Sequence, residues 1–95
     1  MYLISYSKKA LKDIPKLKGS GLDRKAKELI ATIEQNPFQT PPPYEALVGN
    51  LSGLHSRRIN LKHRLVYRVE ENPIERNGVT YQGTVGIIRM WTHYE

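Results

Sequence analysis

Three side chains that can move protons or hold phosphate are spread along this chain: a carboxylate at Glu45, a guanidinium at Arg64 and an imidazole at His93. Around Arg64, the run from Asn50 to Val69, NLSGLHSRRINLKHRLVYRV, adds Arg57, Arg58, Lys62 and Arg68, and Tyr94 follows His93. A planar guanidinium fork suits phosphate oxygens in a way that an ammonium does not. A carboxylate can take a proton, and histidine titrates nearest neutrality. Together they fit a metal-free reaction in which the 2′-hydroxyl of RNA attacks the adjacent phosphate. That reaction needs a base at the 2′-OH, an acid at the leaving 5′-oxygen and positive charge on the five-coordinate phosphate. Glu45 would be the base, Arg64 the charge and His93 the acid, with Tyr94 stacking on a base or orienting the substrate. Each residue also has a plainer reading. Glu45 can be solvated surface before a strand, and His93 a surface or sheet residue. Arg57 and Arg58 can be a solvated face or partners of nearby acids, and Tyr94 and Trp91 core or edge aromatics. Composition and spacing leave both readings open.

Other chemistries find little support. His55, His63 and His93 form no HxH or HExxH pattern and there is no cysteine, so neither a metal, a cofactor nor a disulfide is expected. No phosphate-binding GxxxxGK[ST] loop occurs, and Leu51-Ser52-Gly53 is too short for a nucleophile elbow. The 15 Lys and Arg against 9 Asp and Glu give a net charge of +6, which favours a polyanionic partner, either nucleic acid or an acidic protein. No apolar run approaches the roughly 20 residues of a membrane span. The start, MYLISYSKKALKD, lacks the apolar stretch of a signal peptide, so a cytoplasmic protein without a membrane association is expected. Its 95 residues imply one domain, 1–95.

The elements that must position these residues can be read from periodicity. Tyr2–Ser5 can form a first strand. Ser7 can cap a helix from Lys8, with Ala10, Ile14 and Leu17 at helical spacing. Pro15 predicts a kink or an early end, because it lacks the N–H that bonds four residues back. Lys18-Gly19-Ser20-Gly21 reads as the break, and Ser20 with Asp23 resembles a capping box for the next helix. There Ala26, Leu29, Ile30 and Ile33 mark one buried face, and Asn36-Pro37 ends it. Residues 37–44, PFQTPPPY, read as an extended polyproline-type linker that delivers Glu45. Antiparallel strands follow: Leu54–Asn60 and His63–Val69 around a short turn, then a long hairpin loop or extended hairpin tip over Glu70–Gln82 with turn signals at Asn72-Pro73 and Asn77-Gly78, then Val85–Tyr94. In the last strand, strict alternation would put Val85, Ile87, Arg89, Trp91 and His93 on one face. Strand, two helices and several antiparallel strands make an α+β sandwich with one sheet face left open for a site.

The run Asn50–Ile59 (NLSGLHSRRI), followed by His63–Tyr67 (HRLVY), with Glu45 upstream and His93-Tyr94 at the close, resembles the YoeB/Txe family of bacterial toxins within the RelE superfamily. The likeness extends to the start, LISYSKKALKD, and to the helix ending in NPF. It implies a RelE-like sandwich of two N-terminal helices on a twisted antiparallel sheet. It also implies an mRNA interferase, a ribosome-dependent endoribonuclease that cleaves mRNA in the A site and stops translation. Carried over by matching positions, Glu45 becomes general base, Arg64 the transition-state charge and His93 general acid. Tyr94 becomes a supporting aromatic, Arg58 a phosphate contact and Arg57 a weaker one. The implied partners are the bacterial ribosome, mRNA and a YefM-type antitoxin with an acidic tail that suits the +6 charge. DNA would be met only through the antitoxin complex, and a homodimer is left open. The chain departs from the family pattern at Val48 and Gly49, in the longer 72–83 segment and in Glu95 after Tyr94. Two rivals stand beside this reading: a non-catalytic toxin of the same fold, like the gyrase-inhibiting ParE toxins, and a general basic RNA-binding module.

Overall fold

A computed structural model describes residues 1–92, so Glu45, Arg57, Arg58 and Arg64 can be placed, while His93, Tyr94 and Glu95 lie outside the described residues. The order is β1 (Leu3–Tyr6), α1 (Lys8–Ser20), α2 (Asp23–Gln35), β2 (Glu45–Ala46), β3 (Leu54–Arg58), β4 (Arg64–Glu70), β5 (Ile74–Arg76), β6 (Val79–Tyr81) and β7 (Thr84–Thr92). The main sheet runs β1-β7-β4-β3-β2, and β5-β6 form a separate hairpin. The expected sandwich of two helices and a sheet is present. Among the described strands, the parallel pair is β1 with β7, which makes the sheet mixed. Nearly the whole chain separates these two strands, so no tight hairpin forces them antiparallel.

The Ser7 hydroxyl caps α1 as expected, accepting from the Ala10 N–H at 3.0 Å, and it donates to the Ile88 carbonyl at 2.7 Å. The cap therefore also pins the helix start to β7. Two expectations for α1 fail. The helix runs through Pro15 to Ser20. The carbonyl that Pro15 leaves without its usual donor belongs to Leu11, on the exposed face. Packing of Ala10, Asp13 and Leu17 on the other face holds the rod together. Ser20 does not cap α2. It is the last residue of α1, and its hydroxyl donates to the Leu17 carbonyl. Gly21 ends the helix in the left-handed conformation, and the Leu22 N–H reaches back to the Leu17 carbonyl. That closing bond is the one a Schellman motif makes.

In α2, Ala26, Leu29 and Ile33 are buried and Ile30 packs at their edge, as the spacing predicted. They meet Leu65, Tyr67, Val85, Ile87 and Met90 from one face of the sheet. Removing a buried side chain such as Ile33 from this layer costs about 2–5 kcal/mol. Among the described residues, no α-helix covers the opposite face of the sheet.

The long hairpin is where the sequence placed it. Asn77 and Gly78 both have positive φ, 53° and 79°, the geometry of a two-residue type I′ turn. Its base is tied to the N-terminus by the Met1 amine on Gln82 and by the Gln82 N–H on the Met1 carbonyl. At the joint with β7, Gly83 is required, because a Cβ there would collide with the Glu70 carbonyl oxygen.

Candidate active site

Strand alternation and register build the site on the open face. Glu45 is the partner of Ser56, Arg58 of Arg64, and Arg64 of Thr92. Directly paired residues point to the same side of a sheet. Glu45, Ser56, Arg58 and Arg64 therefore project together and line an open cleft of about 240 Å³ with Pro43 and Tyr44. Within it, the Arg64 Nη1 lies 3.3 Å from Glu45 Oε2 and donates to the Ser56 hydroxyl at 3.1 Å. Arg64 is mostly covered, with 16% of its side chain exposed, while Glu45 is 64% exposed. The cation is thus held at the floor and the carboxylate stands at the mouth. Among the described residues, the Arg64 contacts to Ser56 and Glu45 both run through Nη1. Ser56 was within the matched run but was not singled out. It is fully buried, and its hydroxyl orients the guanidinium.

Arg57 is not in this cleft. The same alternation that turns Arg58 outward turns Arg57 into the molecule, where it is 1% exposed. Its Nη1 donates to the Pro42 carbonyl at 2.6 Å, and its Nη2 to the carbonyls of Pro37 and Gln39 at 3.0 and 2.9 Å. Its Nε donates to the Tyr67 hydroxyl at 3.2 Å, and that hydroxyl donates in turn to the Pro37 carbonyl at 2.8 Å. A guanidinium with every donor nitrogen on a backbone carbonyl or a buried phenol cannot hold substrate phosphate. The expected phosphate contact is instead the post around which residues 37–44 are wound. That linker is also not a plain extended rod, because the carbonyls of Pro37, Gln39 and Pro42 all turn to the one guanidinium. Tyr44 lies under the guanidinium, 5.2 Å from ring centre to Cζ. His55 packs among the rings of Phe38, Tyr44 and Tyr67. Burial and then the Arg57 charge hold the His55 imidazole below its ordinary range, so it is a neutral part of this cluster.

On the other side of β4 from β3 lies β7, which does not alternate strictly. Tyr67 and Val66 are adjacent, yet their partners Ile87 and Arg89 are two apart. Val66 and Arg64 are two apart, while Arg89 and Thr92 are three apart. At each slip β7 supplies one extra residue, as in a β-bulge. Ile87 and Met90 consequently both face the core, which the alternating pattern did not anticipate. Trp91 stacks on His63 at 3.9 Å between ring centres, tying the end of β7 to the turn before β4.

A second buried charge, absent from the sequence reading, stands behind this strand. Asp13 on α1 is 1% exposed and accepts from Arg89 Nε at 3.0 Å and from the Met90 and Trp91 N–H groups at 2.9 and 3.2 Å. Burial alone would raise its pKa. The Arg89 and Met90 hydrogen bonds, with the charges of Arg89 and Lys16, outweigh that and hold the carboxyl below its ordinary range.

Residues 6–94 match the family described as YoeB-like toxin of bacterial type II toxin-antitoxin system. Over 51 residues, 54% of this chain, it is 43% identical to Toxin YoeB of Escherichia coli K12, a stretch that spans 61% of that relative's length. The YoeB of the YoeB-YefM complex from Staphylococcus aureus superposes with a TM-score of 0.74 at 30% identity, covering 99% of both chains. A YoeB/ParE toxin from Agrobacterium tumefaciens shares the fold, with a TM-score of 0.79 at 24% identity over 97% of this chain and 99% of that one. With both helices, every described strand after β1 and the described part of the cleft within the matched span, the chain belongs to the YoeB-like toxins of bacterial type II toxin–antitoxin systems.

Proposed function

We propose that this toxin is a ribosome-dependent endoribonuclease that cleaves mRNA in the A site by metal-free acid–base chemistry. The observation that carries the reading is the pairing of an exposed carboxylate with a held guanidinium, Glu45 and Arg64, 3.3 Å apart on an open sheet face. Glu45 takes the 2′-hydroxyl proton as the 2′-oxygen attacks phosphorus. Arg64, with Arg58 in the same cleft, holds the phosphate oxygens as negative charge grows on them. His93, directly after Thr92 in sequence, gives a proton to the departing 5′-oxygen, and Tyr94 supports the substrate. The products are a 2′,3′-cyclic phosphate, or the 3′-phosphate it opens to, and a 5′-hydroxyl. The chain works in the cytoplasm. Its partner in the resting cell is an antitoxin of the YefM type, as in the S. aureus complex, and it can pair with itself, as that organism's YoeB dimer does.

The test is to add the purified protein to ribosomes programmed with a defined mRNA and to map the new ends. Cleavage within the A-site codon, with a 5′-hydroxyl on the downstream fragment, is expected. Equal cleavage of free mRNA would remove the ribosome from the account. Inhibition of gyrase supercoiling without any cleavage would replace the account with the non-catalytic reading.

A further inference from the structure

Asp13 lies on the helical side of the sheet, away from the cleft, and the chemistry above does not use it. A buried carboxylate carries a desolvation cost of several kcal/mol, and a well-packed apolar side chain often serves stability as well or better. An apolar side chain could not, however, accept two successive backbone N–H groups. Met90 and Trp91 both donate to the same Asp13 oxygen, Oδ2, which also takes Arg89 Nε. Arg89 Nη2 reaches the other oxygen at 3.4 Å and also donates to the Trp91 carbonyl at 3.3 Å, so the pair grips the chain at successive residues. These contacts fall within the second register slip. Counted in ordinary alternation from the pair Val66–Arg89, Trp91 would stand opposite Arg64. The extra residue puts Thr92 there.

We propose that Asp13, with Arg89, is a positioning residue: it fixes the bulge that brings Thr92 into register with Arg64. The register part of this claim stands on geometry alone, and its catalytic consequence rests on the proposed function. Asp13 touches no reacting atom. It acts through the path of β7, so its loss lowers the rate of the chemical step while leaving substrate affinity little changed.

The experiment reads register and rate in the same variants. In the unaltered protein, NMR should show cross-strand contacts for Arg64–Thr92 and for Val69–Val85, which pair on the same strands away from the bulges. In Asp13→Ala, the first should be lost and the second kept, with faster solvent exchange of the Met90 and Trp91 amides. Single-turnover cleavage at saturating protein should fall about 100-fold, the scale of a misplacement of roughly 1 Å in a reacting group. Should Asp13→Ala not fold, Asp13→Asn keeps the shape and one acceptor oxygen, and Arg89→Met keeps the carboxylate. Each should give a smaller loss of the same kind. Arg64–Thr92 contacts that persist when the Asp13 acceptor is gone would overturn the proposal, as would an undiminished rate where those contacts have been lost. A wild-type protein that cleaves nothing on programmed ribosomes would overturn the reading of function, while the cross-strand contacts would still decide the register claim.

Discussion

The two flanks of the cleft are held by the same device with opposite charge. On the Glu45 flank, Arg57 is a buried cation donating to the carbonyls of Pro37, Gln39 and Pro42. On the β7 flank, Asp13 is a buried anion accepting the N–H groups of Met90 and Trp91. Each fixes a stretch of backbone that regular pairing does not. They differ in compensation. Asp13 has a formal counter-charge in Arg89. Arg57 has carbonyl dipoles, a phenol and the face of Tyr44. A flank held by an ion pair can lose one partner and let the other turn toward water. A flank held by a lone buried cation leaves several carbonyls stranded when it goes.

The largest stability loss is therefore expected at Arg57. Arg57→Met should lower the unfolding free energy by about 4 kcal/mol, from three carbonyls and a hydroxyl left short of a donor at about 1 kcal/mol or more each. Urea denaturation would measure it. Asp13→Asn should cost less, about 2 kcal/mol, because Arg89 is partly exposed and can be rehydrated. The reverse order would break the comparison.

Acid should separate the flanks further. The folded-state pKa of Asp13 is lowered, so its contribution is complete above about pH 4 and is lost as pH falls through the folded value. The folded-state pKa of His55, in the Arg57 cluster, is also lowered. Its penalty therefore begins as pH drops below about 6.5, where the unfolded chain takes up the proton first. Stability measured from pH 8 to pH 3 should fall in two stages. His55→Phe should remove the upper stage and Asp13→Asn the lower one. The smallest stability effect is expected between the flanks, where Glu45→Gln should stay within about 0.5 kcal/mol because the carboxylate is largely exposed.

How much of this could be read beforehand differed by flank. The helical spacing of Ala26, Leu29 and Ile33 announced α2, and Asn77-Gly78 announced the hairpin turn. The cleft itself was reached mainly through resemblance, since nothing in the spacing of Glu45 and Arg64 brings them to one face until β3 lies between them. Arg57 was missed although a signal existed: in a strand, an outward Arg58 forces its neighbour inward. Leu54, buried on the same face as Arg58, blurred that alternation. Asp13 was missed because the stripe of Ala10, Ile14 and Leu17 reads as complete without it, although Asp13 lies one turn from Ala10 and Leu17. The bulges in β7 left no mark, because the residues through Thr92 look like an unbroken alternating strand.

In the proposed reaction, Glu45 and Arg64 do chemistry rather than hold the fold. Single-turnover cleavage of ribosome-bound mRNA by folded Glu45→Gln and Arg64→Met proteins tests it most directly. Each should cleave at least about 100-fold more slowly than the unaltered protein, the usual scale for a lost acid–base group or charge stabiliser. Rates equal to that of the unaltered protein in both would contradict the claim.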